Sequence, residues 1–472
     1  MLKNIISALP EISLFIGILH LWLLYITKTE KAKVYSAVAR FWLLVSLFFS
    51  VLYYDKTFTP LLMPNSYTLL FYLLIGFFAY IVLGLSSYWF SAKNRLGCRY
   101  DALILLALLC FKLMQETVSL LVLFACYILL NVMEWGLKGL NYDKKTDPEN
   151  ARLFWITLTI IILFALGLLY LSSQTTAPLS YQTIQTILTT QSDSLPSYLS
   201  AVFITIPFLY ALGIVPFHIT AEDNAGKSIL PVSHYFATIA PIALWGVFIK
   251  LNLQVLSPLK ADFSPVYVLF ALSSVIFGAL GVNARINLYR INAYAKTYYL
   301  GIMLLLLSYF KAQTTYASFL IILISVLAFN GMYLVFYSIK SRGEYLATTA
   351  SLSGLAENKP YTAAILIVSL FSLIGIPPLA GFLAEMNIIN GLISQKSYIS
   401  LGIILFFWLV LAKAGLELIK AAYFEHRLKI YDTENTLLIF YIFLNILCLA
   451  LVVFNPFNII ETMKDMFYVL YL

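Results

Sequence analysis

Long apolar runs alternate with short polar or charged breaks along the whole chain. A bilayer's hydrocarbon core is ~30 Å thick, so a spanning helix needs about 20 apolar residues. On that length scale the chain predicts fourteen spans, near residues 10–27, 37–55, 67–91, 101–115, 117–138, 153–172, 198–215, 233–254, 264–284, 291–310, 314–338, 361–395, 398–420 and 435–455. The twelfth run is too long for one straight crossing. Residues 360–395 carry a single charge, Glu385, and a helix of that length at 1.5 Å per residue would extend ~54 Å. Its middle reads Gly375-Ile-Pro377-Pro378-Leu-Ala-Gly381-Phe382. Proline removes a backbone donor and clashes with the preceding turn, so an interruption is expected at Gly375, Pro377, Pro378 and Gly381. A plain proline kink with a packing role is the alternative.

A second interruption is expected upstream. Residues 204–228, ITIPFLYALGIVPFHITAEDNAGKS, put Pro207, Gly213 and Pro216 in the seventh span and follow them with His218, Glu222, Asp223 and Lys227. Interrupted helices persist in lipid only where protein or water satisfies the freed backbone groups. Two such helices in corresponding halves point to an inverted-repeat transporter. The expected fold is therefore an all-α polytopic membrane protein of about fourteen transmembrane helices. Two inverted five-helix repeats, helices 4–8 and 9–13, would carry the broken helices 7 and 12. Residues 1–100 form an N-terminal three-helix segment, 101–425 a ten-helix core, and 426–472 the last helix and a tail along the outer surface.

Charge orients this scheme. Of 472 residues 61% are hydrophobic and 11% charged, against about 25% charged in soluble domains. Loops after odd-numbered spans hold Lys28, Lys31, Lys33, Arg40, Lys93, Arg95, Arg99, Lys138, Lys144, Lys145, Arg152, Lys227, Arg285, Arg290, Lys296 (at the start of a helix), Lys340, Arg342, Lys359, Lys420, Arg427 and Lys429. The opposite side holds Lys3, Lys56, Lys112, Lys250, Lys260, Lys311, Lys396 and Lys464. The positive-inside rule puts odd-numbered loops on the cytoplasmic or matrix side and both termini outside. Two full spans within 360–395 would invert every later loop. The net charge of +8 thus belongs to loops, and no nucleic-acid partner is expected. The loop at 172–197, with Asp193 its sole charge, faces outward as a site for accessory subunits.

Chemistry is sparse. Cys98, Cys110, Cys126 and Cys448 have no paired spacing, so no disulfide, zinc or iron–sulfur site is expected. No glycine-rich nucleotide loop follows a strand. No catalytic residue, metal or cofactor is expected on this chain. Within the spans lie His20, Lys112, Glu134, His234, Lys296, Glu385, Lys413 and Glu417. Lys112 and Glu417 are expected to reach an interface by snorkelling. Lys413 and Glu417 share a helix face. Glu385 and Lys413, in consecutive spans, are expected to pair or to share an aqueous path. His218 reads as a proton relay or as a helix-end cap.

Several ordered motifs resemble subunit 2 (bacterial subunit N) of respiratory complex I, an antiporter-like membrane subunit. They are Val215-Pro216-Phe217-His218, Pro231-Val232-Ser233 with Ala237-Thr238, Leu244-Trp245-Gly246, Asn287-Leu-Tyr-Arg290-Ile-Asn-Ala293-Tyr294 with Gly301, Leu352-Ser-Gly354-Leu355, Ser369-Leu370, the glycine–proline block at 375–382, and Ala422-Tyr423-Phe424. The resemblance covers residues 100 to 425 and implies proton translocation driven by quinone reduction elsewhere. It implies partner subunits and membrane lipids around this chain, with flavin, iron–sulfur clusters and quinone on other subunits. The family pattern places a glutamate in helix 5 and lysines in helices 7, 8 and 12. This chain has Ile128, Ala211, Pro241 and Glu385 at those places, with Glu134 six residues past the first. The proton-path candidates are accordingly Glu134, Glu385, Lys413, Lys296, His234 and His218. A rewired route and a non-pumping scaffold are both open, with reduced pumping expected; an independent cation/proton antiporter is the other class. The Leu-, Ile-, Phe-, Tyr- and Lys-rich composition points to an AT-rich genome and the mitochondrial inner membrane, with a bacterial plasma membrane as alternative.

Overall fold

The computed structural model describes residues 7–27, 31–56, 59–140, 148–190, 194–426, 431–433 and 436–471. Lys3, Lys28, Lys144, Lys145, Asp193, Arg427 and Lys429, used above to orient the chain, lie outside the described residues. The helices are α1 (Leu9–Ile26), α2 (Ala32–Tyr53), α3 (Ser66–Ala92), α4 (Cys98–Glu116), α5 (Leu120–Lys138), α6 (Pro148–Ser173), α7 (Tyr181–Thr190), α8 (Leu195–Leu212), α9 (His218–Lys227) and α10 (Leu230–Ala237). They continue as α11 (Ile239–Gln254), α12 (Lys260–Asn283), α13 (Leu288–Leu307), α14 (Ala312–Ser338), α15 (Pro360–Ile374), α16 (Ala380–Ser394), α17 (Tyr398–Phe424), α18 (Thr436–Phe454) and α19 (Ile459–Tyr468). A small hairpin pairs Lys340 with Tyr345.

Among the described residues eleven helices are long and apolar enough to cross a membrane, α10 and α11 counting as one. Those, with α4, α13 and the interrupted pair α15–α16, are the fourteen spans read from the sequence. The chain is an all-α polytopic membrane protein. The pattern did not reveal α7, whose buried Tyr181, Ile184, Ile187 and Leu188 recur at helical spacing inside the stretch read as an outward loop.

Packing divides the chain into two compact units. The first comprises Met1–Ala211, Ile242–Ala261 and Asp465–Leu472. The second comprises Leu212–Pro241 and Asp262–Lys464. In the first unit, α3 starts from an Asn65 cap whose Oδ1 accepts from Thr68 N at 2.9 Å while Thr68 Oγ1 accepts from Asn65 N. Such a cap satisfies backbone donors that lipid cannot. Residues 242–254 of α11 are held by Tyr67, whose hydroxyl donates to Gly246 O at 2.7 Å, and by Gln115, whose Nε2 donates to Ala243 O at 2.8 Å. Phe467 brings the C-terminal stretch back against Tyr67, ring centroids 5.6 Å apart.

In the second unit α14 is buried along the whole of its most apolar window and packs against α13, α15, α16 and α18. Lipid gives apolar helices no hydrophobic reason to associate, so close backbone approach through small residues does the work. At the α12–α13 contact a Cβ on Gly278 would stand 2.6 Å from Tyr298 N, and one on Gly301 2.7 Å from Ala271 O. Gly301→Ala is expected to destabilise the detergent-solubilised protein by roughly 1–3 kcal/mol through overpacking. A Cβ on Gly402 meets nothing within 4 Å, so Gly402→Ala should leave the unfolding midpoint unchanged or slightly raised. Equal midpoints for the two variants would contradict this contact.

Candidate functional site

The seventh and twelfth spans break in the same register. Gly213-Ile214-Val215-Pro216 and Gly375-Ile376-Pro377-Pro378 each open with a left-handed glycine, φ 76° and 75°. In each the last peptide is cis, Val215–Pro216 and Pro377–Pro378. The turn bonds match as well: Phe217 N donates to Ile214 O at 2.8 Å, and Leu379 N to Ile376 O at 3.0 Å. The helices resume two residues after each cis proline, at His218 and Ala380. The freed backbone groups find partners. Val215 N donates to Ser274 Oγ at 3.0 Å, and Thr297 Oγ1 donates to Gly213 O at 3.3 Å. In the second break Tyr299 OH donates to Leu373 O, and Trp408 Nε1 donates to Ile374 O at 2.7 Å. Two members of the expected break set act differently. Pro207 lies inside α8, which runs on to Leu212. Gly381 lies in the first turn of α16, where a Cβ would strike Ser372 O at 1.6 Å.

The eighth span is also interrupted. α10 ends at Ala237 and α11 begins at Ile239; Pro241 has no N–H to return to Ala237 O. Lys296 Nζ, buried on α13, donates to Phe236 O at 3.1 Å. One turn earlier, His234 Nε2 lies 3.0 Å from Asn330 Oδ1 on α14. Its ring stacks on Tyr333 with centroids 4.7 Å apart and planes 5° from parallel. Nε2–H donating to that carbonyl leaves Nδ1 as the acceptor nitrogen, and Nδ1 has no hydrogen-bond partner among the described residues. The buried Asn330 Nδ2, Ser369 Oγ, Ser372 Oγ and Asn445 Oδ1 are likewise unpartnered there. Two expected residues, Lys296 and His234, thus sit within a few residues of one helix break.

At the start of α9, His218 stacks on Phe277, centroids 5.5 Å apart. One turn on, Glu222 is buried among Arg285 Nε at 2.9 Å, Arg290 NH1 at 3.4 Å and Tyr294 OH at 2.5 Å. Arg285, between α12 and α13, has its pKa pushed up by the Tyr294 hydrogen bond and by the Glu222 charge, with partial burial opposing. Arg290 and Tyr294 of the 287–294 motif thus serve Glu222: Arg290, with Arg285 just before the motif, offsets its charge, and Tyr294 donates a hydrogen bond to it. Glu134 is half-buried on α5, one turn before Lys138.

Glu385 and Lys413 do not pair. Glu385 accepts from Trp408 Nε1. Lys413 is 69% exposed at its side chain and pairs with Glu417 at 3.7 Å. Five residues separate Trp408 from Lys413, about 140° around a helix, so the two face opposite ways. The expectation that Lys112 snorkels, and that Lys250 is an outer loop charge, is also corrected. In the first unit Lys112 is 4% exposed and lies between Glu11 Oε1, at 3.1 Å, and Glu116, with the Tyr72 ring 5.0 Å away. Lys250, 2% exposed, donates to Gln115 O at 2.7 Å and Thr117 O at 2.9 Å, capping the carbonyl end of α4. The four-residue spacing of Lys112 and Glu116 could have signalled the first cluster; nothing local signalled Glu11 or Lys250.

Removing one member of a buried ion cluster leaves an uncompensated charge, costing about 3–5 kcal/mol. Lys112→Met should destabilise the protein by that order, since Glu11 and Glu116 then face each other. Lys112→Met combined with Glu116→Gln should recover part of the loss. Additive losses in thermal unfolding of the two single variants and the double would show that the groups do not interact.

Comparison with known proteins agrees with this architecture. A profile for the family described as NADH:quinone oxidoreductase/Mrp antiporter, transmembrane, matches residues 118–411. The NADH-quinone oxidoreductase subunit N of Pelagibacter ubique is 27% identical over 362 residues, covering 75% of each chain. The fold is similar to a chain of respiratory complex I from Thermus thermophilus, solved with bound aureothin, at TM-score 0.77 and 21% identity over 95% of this chain and 98% of that one. It is also similar to a chain of the Mrp complex from Dietzia sp. DQ12-45-1b, at TM-score 0.84 and 15% identity over 99% and 98%. With both interruptions in place and the profile spanning well over half its length, this chain belongs to the NADH:quinone oxidoreductase/Mrp antiporter transmembrane family.

Proposed function

We propose that the chain is a core membrane-arm subunit of respiratory complex I, of the subunit N (subunit 2) type. It takes part in proton translocation coupled to NADH oxidation and quinone reduction on partner subunits. Flavin, iron–sulfur clusters and quinone are assigned to those partners, and this chain is assigned no redox centre. The observation that carries the reading is the Lys296 ammonium held by the Phe236 carbonyl at the eighth-span break, beside a His234 ring with a free acceptor nitrogen. A buried amine and imidazole have protonation equilibria that respond steeply to hydration and to neighbouring charge. Unpartnered buried polar atoms on α14, α15 and α18 are the kind of group that ordered water satisfies, which supports a hydrated path on this side. The subunit N relatives, all bacterial, support membership in such an enzyme. The AT-biased composition supports the mitochondrial inner membrane, with a bacterial plasma membrane as the alternative.

A non-pumping scaffold is the second reading, favoured by Ala211 and Pro241 where the family pattern has lysines, and by the outward Lys413. An independent cation/proton antiporter is the third; it predicts purification free of flavoprotein and of quinone-reducing activity. In proteoliposomes holding the whole complex, Lys296→Ala is expected to lower coupled proton uptake by about ten-fold or more, and by no more than the ~10²–10⁴ that a positioned acid or base contributes. Unchanged proton-to-electron stoichiometry in an assembled Lys296→Ala complex would establish the scaffold instead.

A further inference from the structure

Glu385 is a carboxylate with too few partners. Two carboxylate oxygens offer about four acceptor positions. Among the described residues the donor to Glu385 is Trp408 Nε1, and that single N–H is shared with Ile374 O. The described residues place no lysine or arginine in an ion pair with it. Its carboxyl group packs on Gly375, where a Cβ would stand 2.0 Å from Glu385 Cδ.

The carboxyl group forms part of the wall of a cavity of about 270 Å³. The remaining wall is apolar, with Ile302, Pro377, Phe382, Leu401 and Ile404 among its residues. Its other polar groups are already engaged: Tyr299 OH on Leu373 O, and Tyr298 OH on Ile404 O at 3.4 Å. Met386 and Leu405 at the rim are exposed on the outside of the chain, so the cavity opens sideways. Glu385 lies nine residues before the end of α16, about 14 Å of helix, or roughly half the hydrocarbon thickness. A headgroup tethered at the membrane surface does not reach that depth. An occupant has to dissolve in the hydrocarbon layer and bring the donor that the carboxylate lacks.

We propose that this cavity is a binding site for a lipophilic amine, whose protonated head donates to the free oxygen of Glu385 and whose apolar body lies along Phe382, Leu401 and Leu405. Quinones and esters offer acceptors alone, and fatty acids repel the carboxylate. A small cationic hydrophobe matches both the apolar wall and the one carboxyl group in it. The site is independent of whether the chain moves protons.

The test uses the purified complex in lipid nanodiscs. Dicyclohexylcarbodiimide, an apolar carboxyl reagent, is added with or without N,N-dimethyldodecylamine, a tertiary amine that cannot be acylated. Modification of the peptide containing Glu385 is read by mass spectrometry. Glu385 should be modified, and the amine should protect it with an apparent affinity roughly ten-fold tighter than that of methyl dodecanoate, about 1.4 kcal/mol. Ile404→Trp and, separately, Leu401→Phe fill the cavity and should abolish saturable binding of radiolabelled N,N-dimethyldodecylamine in complexes that still assemble on native gels. Absence of the adduct in the unsubstituted complex, equal protection by amine and ester, or amine binding that survives both substitutions would overturn the site.

Discussion

The hydrocarbon layer offers no hydrogen bonds, so every interruption of a spanning helix must be satisfied by protein groups or by water that the protein holds. That constraint organises this molecule. At each break a side chain from another helix reaches the exposed backbone: Ser274 and Thr297 at the first, Tyr299 and Trp408 at the second, Lys296 at the third. The groups that repair the backbone are polar, and several can carry or exchange a proton. Breaking a helix in lipid therefore recruits the residues that proton chemistry uses, and the same contacts serve stability and function.

The two units meet the problem of charge differently. In the first, buried cations have anionic or carbonyl partners in hand: Lys112 between two glutamates, Lys250 on the end of α4. In these arrangements each cation has an acceptor. In the second unit, Glu222 has Arg285 and Arg290 beside it, while Glu385 has no cation in an ion pair with it among the described residues and the His234 cluster retains unused hydrogen-bonding capacity. Unused capacity in low dielectric is costly and marks places where water or a ligand belongs.

Span number, interruption and approximate limits were legible because they depend on run length, proline and glycine, each a local property. The shared Gly-Ile-x-Pro register was present in the letters, but four residues do not declare themselves a repeat until the matching turn bonds are seen. Lys250 was illegible for a physical reason. A lysine near a span end reads as a loop charge, and its acceptors lie at the end of α4, 133 and 135 residues away. The Glu385–Lys413 pairing failed on helix phase: consecutive spans bring helices together without saying which faces meet. Glu11, at the start of the first span, entered a cluster that only tertiary packing assembles.

Hydropathy marks both α14 and α18 as spans, yet the apolar window of α14 is wholly buried and that of α18 only 28% buried. One helix is apolar because neighbouring side chains surround it, the other because acyl chains or other subunits do. Interchange among Leu, Ile, Val and Phe on the outward face of α18 alters little, whereas on α14 each change of shape is felt at native packing density. Over evolutionary time α14 should hold its lettering while α18 drifts freely within the apolar alphabet, so two helices that both pass as spans by hydrophobicity differ in their rates of change.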